Sequence, residues 1–462
     1  MDKSELRDAI AKLLTPKRFR DSSVIKDPTD GRNSFDNDYS RIVLSSHFRR
    51  LQDKAQVFPL EQCDFVRTRL THSIEASCFA RGLGLGVEQK LFKSKLITQD
   101  YAGQIPSVLS VAGLIHDIGN PPFGHFGEET IKSYFSKLND PENNLPEAVA
   151  FRKLEAQEIH DFLNFDGNVQ GFRILRKLGL ASDEFSYNLT YPVLSTIIKY
   201  PYSSTDGNNK SGKHCQKKFG FFKSEEADYN TIIDTLGLTK NHRHPLTYLL
   251  EAADDIAYSV SDIEDGYKLG IIDLRIIKKA FADCKSFLNG LKSDESNMDL
   301  YIQRLRIKAQ KHMLIEVTKT FNAQINSIVK GEFDKDLIES SNAKNVRAAF
   351  KKLGTYNFSH STVLKRELLG NEVISYLIDL FTSALFSPNL LGPDGKIDRK
   401  SKESKIFALI SNNYVSVACS GHSGPLPTDN YKKFMLITDY ISGMTDSYAL
   451  NLYQELTGRK LI

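Results

Sequence analysis

Apolar residues recur at intervals of three and four along most of the chain, which is the spacing of amphipathic helices. Strand-like alternation is sparse, so we expect a mostly α fold with a helical core and additional peripheral helices. The clearest buried helix covers 108–115 and meets a turn that contains Gly119, Pro121 and Pro122. This pattern predicts that His116 and Asp117 lie at the last turn of a buried helix.

A second informative helix begins near Pro245, a residue suited to a first turn, and runs to Gly266 or Gly270. A wide apolar stripe covers one side of it. The other side carries a polar line at steps of three and four, formed by Glu251, Asp254, Tyr258, Asp262 and Asp265. Such a line is typical of a solvated helix face. Because the neighbours of Asp254 are small and apolar, the alternative is that this line lies at the rim of a cleft.

The remaining pattern predicts several shorter elements. Residues 1–34 form a polar arm with one short helix over 4–14, and Thr68 or Thr71 caps a helix near the first motif residues. Residues 203–226 are polar, contain glycine and are basic, so we expect a mobile loop there. The last segment predicts two helices separated by Gly443.

The composition limits the class of protein but does not indicate its function. The chain has 462 residues, 40% of them hydrophobic, enough for a sizeable core, and its net charge of +4 argues against an obligatory nucleic-acid partner. Basic stretches at 203–226 and 396–405 still leave contact with DNA open. Five scattered cysteines indicate reduced thiols, and the longest apolar runs fall well short of a membrane span, so we expect a cytoplasmic protein without a membrane segment.

The candidate chemistry starts at the His116–Asp117 pair. An imidazole beside a carboxylate offers mixed nitrogen and oxygen ligation, which suits a divalent ion such as manganese, iron, magnesium or zinc. The alternative is a capping pair, because histidine near a helix C-terminus favours the helix dipole and aspartate starts turns. The dipeptide alone does not decide between the two.

Six segments, taken jointly and in order over 38–450, carry a specific resemblance. The chain resembles the HD-domain phosphohydrolase superfamily and, more closely, its deoxyguanosine triphosphate triphosphohydrolase family. The segments are RIVLSSHFRRLQDKAQVFPLE, VRTRLTHSIEA, GLIHDIGNPPFGHFGEE, IIKYP, EAADDIAYSVSDIEDG and DYISGMTDSYAL.

The resemblance implies one divalent ion in each subunit, most readily Mg²⁺ or Mn²⁺, with water activated at it. The family's metal pattern falls on His72, His116, Asp117 and Asp254. Asp255 is the other candidate for the fourth metal ligand. Asp254 is preferred because the family has a tyrosine four residues and an aspartate eight residues after its ligand, as this chain has after Asp254.

The resemblance also assigns roles around the nucleotide. His125 with Glu128 matches a catalytic pair in which a carboxylate orients an imidazole for proton transfer to the departing 5′ oxygen or for placement of the water. The implied substrate contacts, from base to sugar to phosphates, are Gln56, Tyr258, Asp262, Arg69, Lys199 and Tyr200. The alternative for these residues is that they have no functional role and are ordinary residues at helix starts and at the rims of amphipathic helices.

The implied activity is hydrolysis of dGTP to deoxyguanosine and inorganic tripolyphosphate. Three alternatives stay open: a broader dNTP triphosphohydrolase activated by a nucleotide, an HD-type nucleotidase or phosphodiesterase, and a nucleic-acid-binding protein with a structural metal. The resemblance further implies a homo-oligomer, a hexamer or tetramer, with single-stranded DNA as a possible partner. We expect an arm at 1–34, the HD-domain core at 35–270 and a helical region at 271–462 packed on that core.

Overall fold

The computed structural model describes residues 1–20, 29–61, 63–179, 183–207, 212–291, 297–420, 424–427 and 429–459. Within these ranges the chain forms twenty α-helices, and its β structure is limited to two isolated bridges, Ala55 with Thr68 and Leu391 with Ile397. The mostly α prediction is confirmed. The helices are α1 (Lys3–Leu13), α2 (Ser34–Val43), α3 (Ser46–Arg50), α4 (Arg69–Lys93), α5 (Gln104–Ile115), α6 (Gly124–Leu138), α7 (Pro146–Phe151), α8 (Ala156–Leu163), α9 (Gly167–Arg173), α10 (Tyr191–Thr196), α11 (Glu226–Leu236), α12 (Pro245–Lys268), α13 (Leu274–Ala280), α14 (Met298–Val329), α15 (Lys344–Phe358), α16 (Ser361–Phe386), α17 (Lys402–Phe407), α18 (Asn412–Ala418), α19 (Asn430–Ser442) and α20 (Asp446–Thr457).

The centre of the fold is α4, which packs on α5 and on α12. Every residue of α5 from Ile105 to Ile115 is buried except Ser107, which is half-buried, in line with the mostly apolar sequence of this helix. Glycine allows α4 and α5 to approach closely, since a Cβ at Gly113 would stand 2.5 Å from the Cα of Ser77. This approach brings the end of α5 to the first turns of α4, where two of the motif residues lie.

The turn that follows α5 packs on α9 with no room for a side chain. A Cβ at Gly119 would stand 2.1 Å from the backbone nitrogen of Gly171 and 2.2 Å from the carbonyl oxygen of Gly167. Phe123 and Gly124 then adopt left-handed backbone, with φ of 61° and 60°, and α6 begins. The tight turn therefore fixes how α6 leaves the end of α5.

Several sequence predictions can be compared with the described elements. The short helix near the start, the long helix from Pro245 and the two helices either side of Gly443 are confirmed, and Thr68 rather than Thr71 is the cap of α4. Of the arm, residues 21–28 lie outside the described residues. The division of the chain at residues 34 and 270 stays a prediction.

The expectation of a mobile loop over 203–226 is wrong for its described part. Phe219, Phe221 and Phe222 are buried in the core, and Lys218 pairs with the buried carboxylate of Asp166. Three aromatic side chains in four positions bury enough apolar surface to fix the segment, which the polar composition of its first half concealed. Residues 208–211 lie outside the described residues.

One helix in the described part of the chain, α16, has the length and apolar composition of a membrane-crossing helix. Half of its apolar window is buried within the protein, and it packs on α6, α17 and α19. Core helices of soluble proteins share these properties, so α16 is weak evidence for a membrane segment. The expectation that no apolar stretch reaches this length was too strong.

Candidate active site

Two buried imidazoles and a carboxylate meet where α4 approaches the end of α5. His72 lies one turn into α4 and is 1% exposed, and His116 directly follows α5. Their rings are 5.3 Å apart between centroids, and ligand atoms of His72, His116 and Asp117 lie within 4.8 Å of one another. The predicted meeting of these residues therefore occurs in the structure.

Asp254 reaches the same point from α12. Its Oδ1 is 3.2 Å from Nε2 of His72 and 3.2 Å from Nε2 of His116, and its Oδ2 accepts a hydrogen bond from Lys199 at 3.1 Å. The neighbouring Asp255 instead pairs with Arg347 of α15. Adjacent residues on a helix point in different directions, so only one of the two aspartates can face the histidines.

The donor set fits a divalent cation. Nδ1 of His116 donates to the carbonyl oxygen of Gly113 at 2.8 Å, which leaves the lone pair of Nε2 available, and this buried Nε2 lacks a hydrogen-bond partner among the described atoms. Nδ1 of His72 is likewise buried without one among those atoms. Two imidazoles and two carboxylates give the mixed nitrogen and oxygen ligation that borderline and hard divalent ions accept.

Electrostatics at this point also favour a cation. Burial opposes charge on His116, but the carboxylates of Asp117 and Asp254 prevail and raise its pKa. Burial likewise opposes charge on Asp254, yet Lys199 and His116 hold the pKa of that carboxyl well below its usual range. The negative charge that draws a proton to His116 would attract a metal ion to the same place.

The second predicted pair, His125 and Glu128, lies in the first turn of α6. Nδ1 of His125 donates to Oε2 of Glu128 at 3.1 Å, while Oε1 of Glu128 accepts the backbone N–H of Gly167 at 2.9 Å. Glu128 is buried, whereas the His125 side chain is 82% exposed. The hydrogen bond that His125 donates to Glu128 raises the pKa of His125. A fixed carboxylate thus orients an accessible imidazole and favours its charged form.

Two cations adjoin the cluster. Arg69 is buried in the first turn of α4 and its guanidinium pairs with Oδ2 of Asp117. A Cβ on Gly124 would stand 3.2 Å from Nη2 of Arg69, so this arginine also lies beside the start of α6 and links the two groups of residues. Lys199, on the Asp254 side, is the second cation, and its pKa is raised because Asp254 and Glu251 outweigh the effect of burial.

Tyr258 lies one turn after Asp254 on α12. Its ring is nearly perpendicular to that of His72, at 88° with centroids 6.4 Å apart. Burial, reinforced by the neighbouring carboxyl of Asp262, raises the pKa of Tyr258. Burial and Asp265 also raise the pKa of Asp262 well above its usual range, and Oδ2 of Asp262 is buried without a hydrogen-bond partner among the described atoms. The acidic line is therefore not a solvated face.

Chain neighbours place the two remaining predicted residues beside this cluster. Ala55 bridges Thr68, so Gln56 lies next to the first turn of α4, and its buried Oε1 has no hydrogen-bond partner among the described atoms. Tyr200 follows Lys199, and the guanidinium carbon of Arg243 lies 5.7 Å from its ring centroid. Burial raises the pKa of the Tyr200 phenol.

The sequence reasoning missed Phe358, the last residue of α15. Its ring is stacked on Tyr258 with centroids 6.5 Å apart at 22°, and its side chain is exposed. The chain offers no motif around Phe358, and the residue is one hundred positions away from Tyr258. Only the packing of α15 on α12 reveals this contact.

Comparison with known proteins agrees with this geometry. An HD domain matches residues 69–166, a range that includes His72, His116 and Asp117. The chain is 39% identical to the deoxyguanosinetriphosphate triphosphohydrolase-like protein of Listeria innocua, over 97% of this chain and 99% of that protein. It is 37% identical to the protein of the same description from Synechocystis, over 93% and 95% of the two chains.

A further relative is named as the triphosphohydrolase itself, without the ending "-like protein". The deoxyguanosinetriphosphate triphosphohydrolase of Yersinia pseudotuberculosis is 30% identical over 96% of this chain and 98% of its own length. Similarity of this extent covers the helices before and after the HD domain as well as the domain itself. The chain therefore belongs to the deoxyguanosinetriphosphate triphosphohydrolase family of HD-domain hydrolases, and it is a hydrolase.

Proposed function

We propose that this hydrolase cleaves dGTP to deoxyguanosine and inorganic tripolyphosphate with one divalent ion, Mg²⁺ or Mn²⁺, in each subunit. The residues that would hold the ion are His72, His116, Asp117 and Asp254. The observation that carries the proposal is the convergence of two buried imidazoles on one oxygen of Asp254, each at 3.2 Å, with Asp117 beside them. The names of the relatives support dGTP as the substrate.

A divalent ion in such a site supplies Lewis acidity toward a phosphoryl oxygen and lowers the pKa of water. The protein residues contribute charge and position. Arg69 and Lys199, with Tyr200 beside them, would bind phosphate oxygens; the planar guanidinium of Arg69 suits two such oxygens at once. Both cations now contact carboxylates of the cluster, so a triphosphate would compete with Asp117 and Asp254 for them.

His125 is proposed as the proton donor to the departing 5′ oxygen. Its Nδ1 is engaged by Glu128, which leaves Nε2 as the atom that can carry the transferred proton. The raised pKa keeps a larger fraction of the imidazole charged near neutral pH, as a general acid requires. The exposure of the ring leaves it accessible to a substrate.

The sugar and base contacts rest on α12 and on the segment before α4. Tyr258 would pack on the deoxyribose at the place where the 2′-hydroxyl of a ribonucleotide would project. Oδ2 of Asp262, which has no hydrogen-bond partner among the described atoms, would accept a hydrogen bond from the 3′-hydroxyl. Gln56 would read the base edge, since an amide both donates and accepts. Because an amide can both donate and accept hydrogen bonds, Gln56 could bind more than one kind of base. The second candidate function is therefore a broader dNTP triphosphohydrolase, with or without activation by a nucleotide.

The deciding experiment is incubation of the metal-loaded protein with each dNTP, singly and in mixtures, with chromatographic separation of the products. Tripolyphosphate from dGTP alone supports the proposal. Turnover of all four dNTPs, or turnover only in mixtures, favours the second candidate. Release of single phosphate favours a nucleotidase, and cleavage of phosphodiesters favours a phosphodiesterase. Equal rates with and without divalent metal would contradict the proposal altogether.

Assembly and location are proposed on the same basis. We propose a cytoplasmic homo-oligomer, a hexamer or tetramer, that can bind single-stranded DNA through its basic segments. Light scattering after size exclusion would give the subunit number. Binding of a labelled oligonucleotide that weakens steeply as salt is raised would support the DNA contact, because released counterions dominate such binding.

A further inference from the structure

The segment DYISGMTDSYAL carries a buried carboxylate that the proposed mechanism does not use. Asp446, the first residue of α20, is only 2% exposed. Its Oδ1 accepts the backbone N–H of Phe123 at 2.9 Å, and its Oδ2 accepts the backbone N–H of Ala55 at 3.0 Å. One side chain from the C-terminal helices therefore holds two backbone segments of the candidate active site, one leading to His125 and one leading to Gln56.

A buried lysine completes the connection from the other direction. Lys54 is 4% exposed, and its Nζ donates to the carbonyl oxygen of Asn120 at 2.6 Å and to that of Ser442 at 2.9 Å. Its own carbonyl oxygen accepts the backbone N–H of Arg69 at 2.9 Å. Lys54 and Asp446 thus join the same three parts of the chain: the segment before α4, the turn before α6 and the link between α19 and α20.

The turn that these groups hold needs support. Phe123 has a left-handed backbone that residues with a Cβ adopt rarely, and the next residue, Gly124, has the same conformation. The Phe123 ring is pressed against α16, where a Cβ at Gly370 would stand 2.6 Å from it. His125 follows two residues after Phe123, so the direction of its side chain depends on this conformation.

Burial of the two charged groups has an electrostatic cost. Burial raises the pKa of Asp446 to about 6, against the two backbone hydrogen bonds and the attraction of Lys54. Burial also lowers the pKa of Lys54 to about 7, against the attraction of Asp446. Apolar side chains of similar volume would avoid this cost, but they would leave the two N–H groups and two carbonyl groups unpaired.

We propose that Asp446 and Lys54 are positioning residues that hold the His125 turn and the Gln56 segment in register, so that the C-terminal helices are part of the catalytic apparatus. The kinetic consequence rests on the proposed function. The structural consequence, loss of a specific backbone restraint at Phe123, is independent of any substrate. The two consequences can therefore be measured separately.

The test compares Asp446→Asn with Asp429→Asn in the full-length metal-loaded protein. Asp429 caps α19 through a bond to the N–H of Lys432 at 2.7 Å, is exposed, and serves as the matched control in the same C-terminal region. The amide of Asp446→Asn keeps one acceptor and places a donor against the other N–H. We expect kcat for each bound metal ion to fall about tenfold to a hundredfold and KM for dGTP to rise, because the substitution also weakens the restraint on the segment that carries Gln56.

A second readout is amide hydrogen exchange of the peptide that covers residues 119–128. Exchange there should quicken in Asp446→Asn and stay unchanged in Asp429→Asn, because only Asp446 accepts the Phe123 N–H. Lys54→Met, which removes both hydrogen bonds that Nζ donates, should give the same local exchange and kinetic pattern, and it replaces Asp446→Asn if that variant does not fold.

Two outcomes would overturn the inference: a kcat per bound metal equal to that of the unmodified protein, or unchanged exchange over residues 119–128. A purely structural role predicts a lower melting temperature and less metal-loaded protein, with full turnover in what remains. If the unmodified protein hydrolyses no nucleoside triphosphate, the proposed function fails, and the exchange comparison still decides whether Asp446 holds the turn.

Discussion

Replacement of Glu128 by glutamine tests the proposed acid most directly. The buried carboxylate of Glu128 accepts two hydrogen bonds, one from the backbone N–H of Gly167 at 2.9 Å and one from Nδ1 of His125 at 3.1 Å. Glutamine has the same shape but one acceptor. If its oxygen keeps the Gly167 bond, its NH₂ group faces Nδ1 of His125, and the bond to a charged imidazole is lost.

The expected magnitude follows from that single lost bond. A hydrogen bond to a charged group contributes about 1.5–3 kcal/mol, and the lower end applies because the His125 side chain is 82% exposed to solvent. About 1.4 kcal/mol corresponds to a tenfold change in rate, so we expect kcat to fall about tenfold. Thermal stability should change little, since the buried Gly167 bond and the side-chain volume are retained.

The dependence on pH has a definite sign. Glu128 raises the pKa of His125, so the imidazolium persists to higher pH in the unmodified enzyme. Loss of the negative charge lowers that pKa, and the proton donor is then lost at a lower pH. The alkaline limb of a plot of kcat against pH should therefore move toward acid in Glu128→Gln, as measured by steady-state product formation at constant metal concentration.

The adjacent Glu129 offers a matched control. Its side chain is largely exposed and pairs with Lys132, three residues further along α6. Glu129→Gln should leave both kcat and the pH profile unchanged. An unchanged kcat together with an unshifted alkaline limb in Glu128→Gln would refute the assignment of His125 as an acid oriented by this carboxylate.

Four other substitutions have expected outcomes. Asp254→Asn should lose most bound metal and activity, whereas Asp255→Asn should keep its metal, as measured by elemental analysis. Asp255→Asn should instead lower the free energy of unfolding by about 1–3 kcal/mol, because Arg347 loses a partner. Gly119→Ala should lower the free energy of unfolding by about 1–3 kcal/mol or more, measured in denaturant, because its Cβ meets backbone. Tyr258→Ala should raise kcat/KM for GTP relative to dGTP; an unchanged ratio would exclude a role in sugar selection.

Local patterns in the sequence predicted the helices and the residue types at the site. Apolar periodicity predicted α5 and α12, and the Gly-Pro turn predicted where α5 ends, because such signals depend on neighbours within a few positions. The family resemblance selected the histidines and aspartates before any contact was known. The same local reasoning failed at Phe219 to Phe222, where burial depends on distant helices.

Which side chains meet depends on how distant helices pack. The spacing on α12 favoured Asp254 over Asp255, but their different partners, His72 on one side and Arg347 on the other, come from helices far away in the chain. The contacts of Asp446 and the ring of Phe358 likewise join residues separated by a hundred positions or more. Sequence periodicity reports which face of a helix is apolar, whereas the close packing of one helix on another fixes which polar atoms come within hydrogen-bond distance.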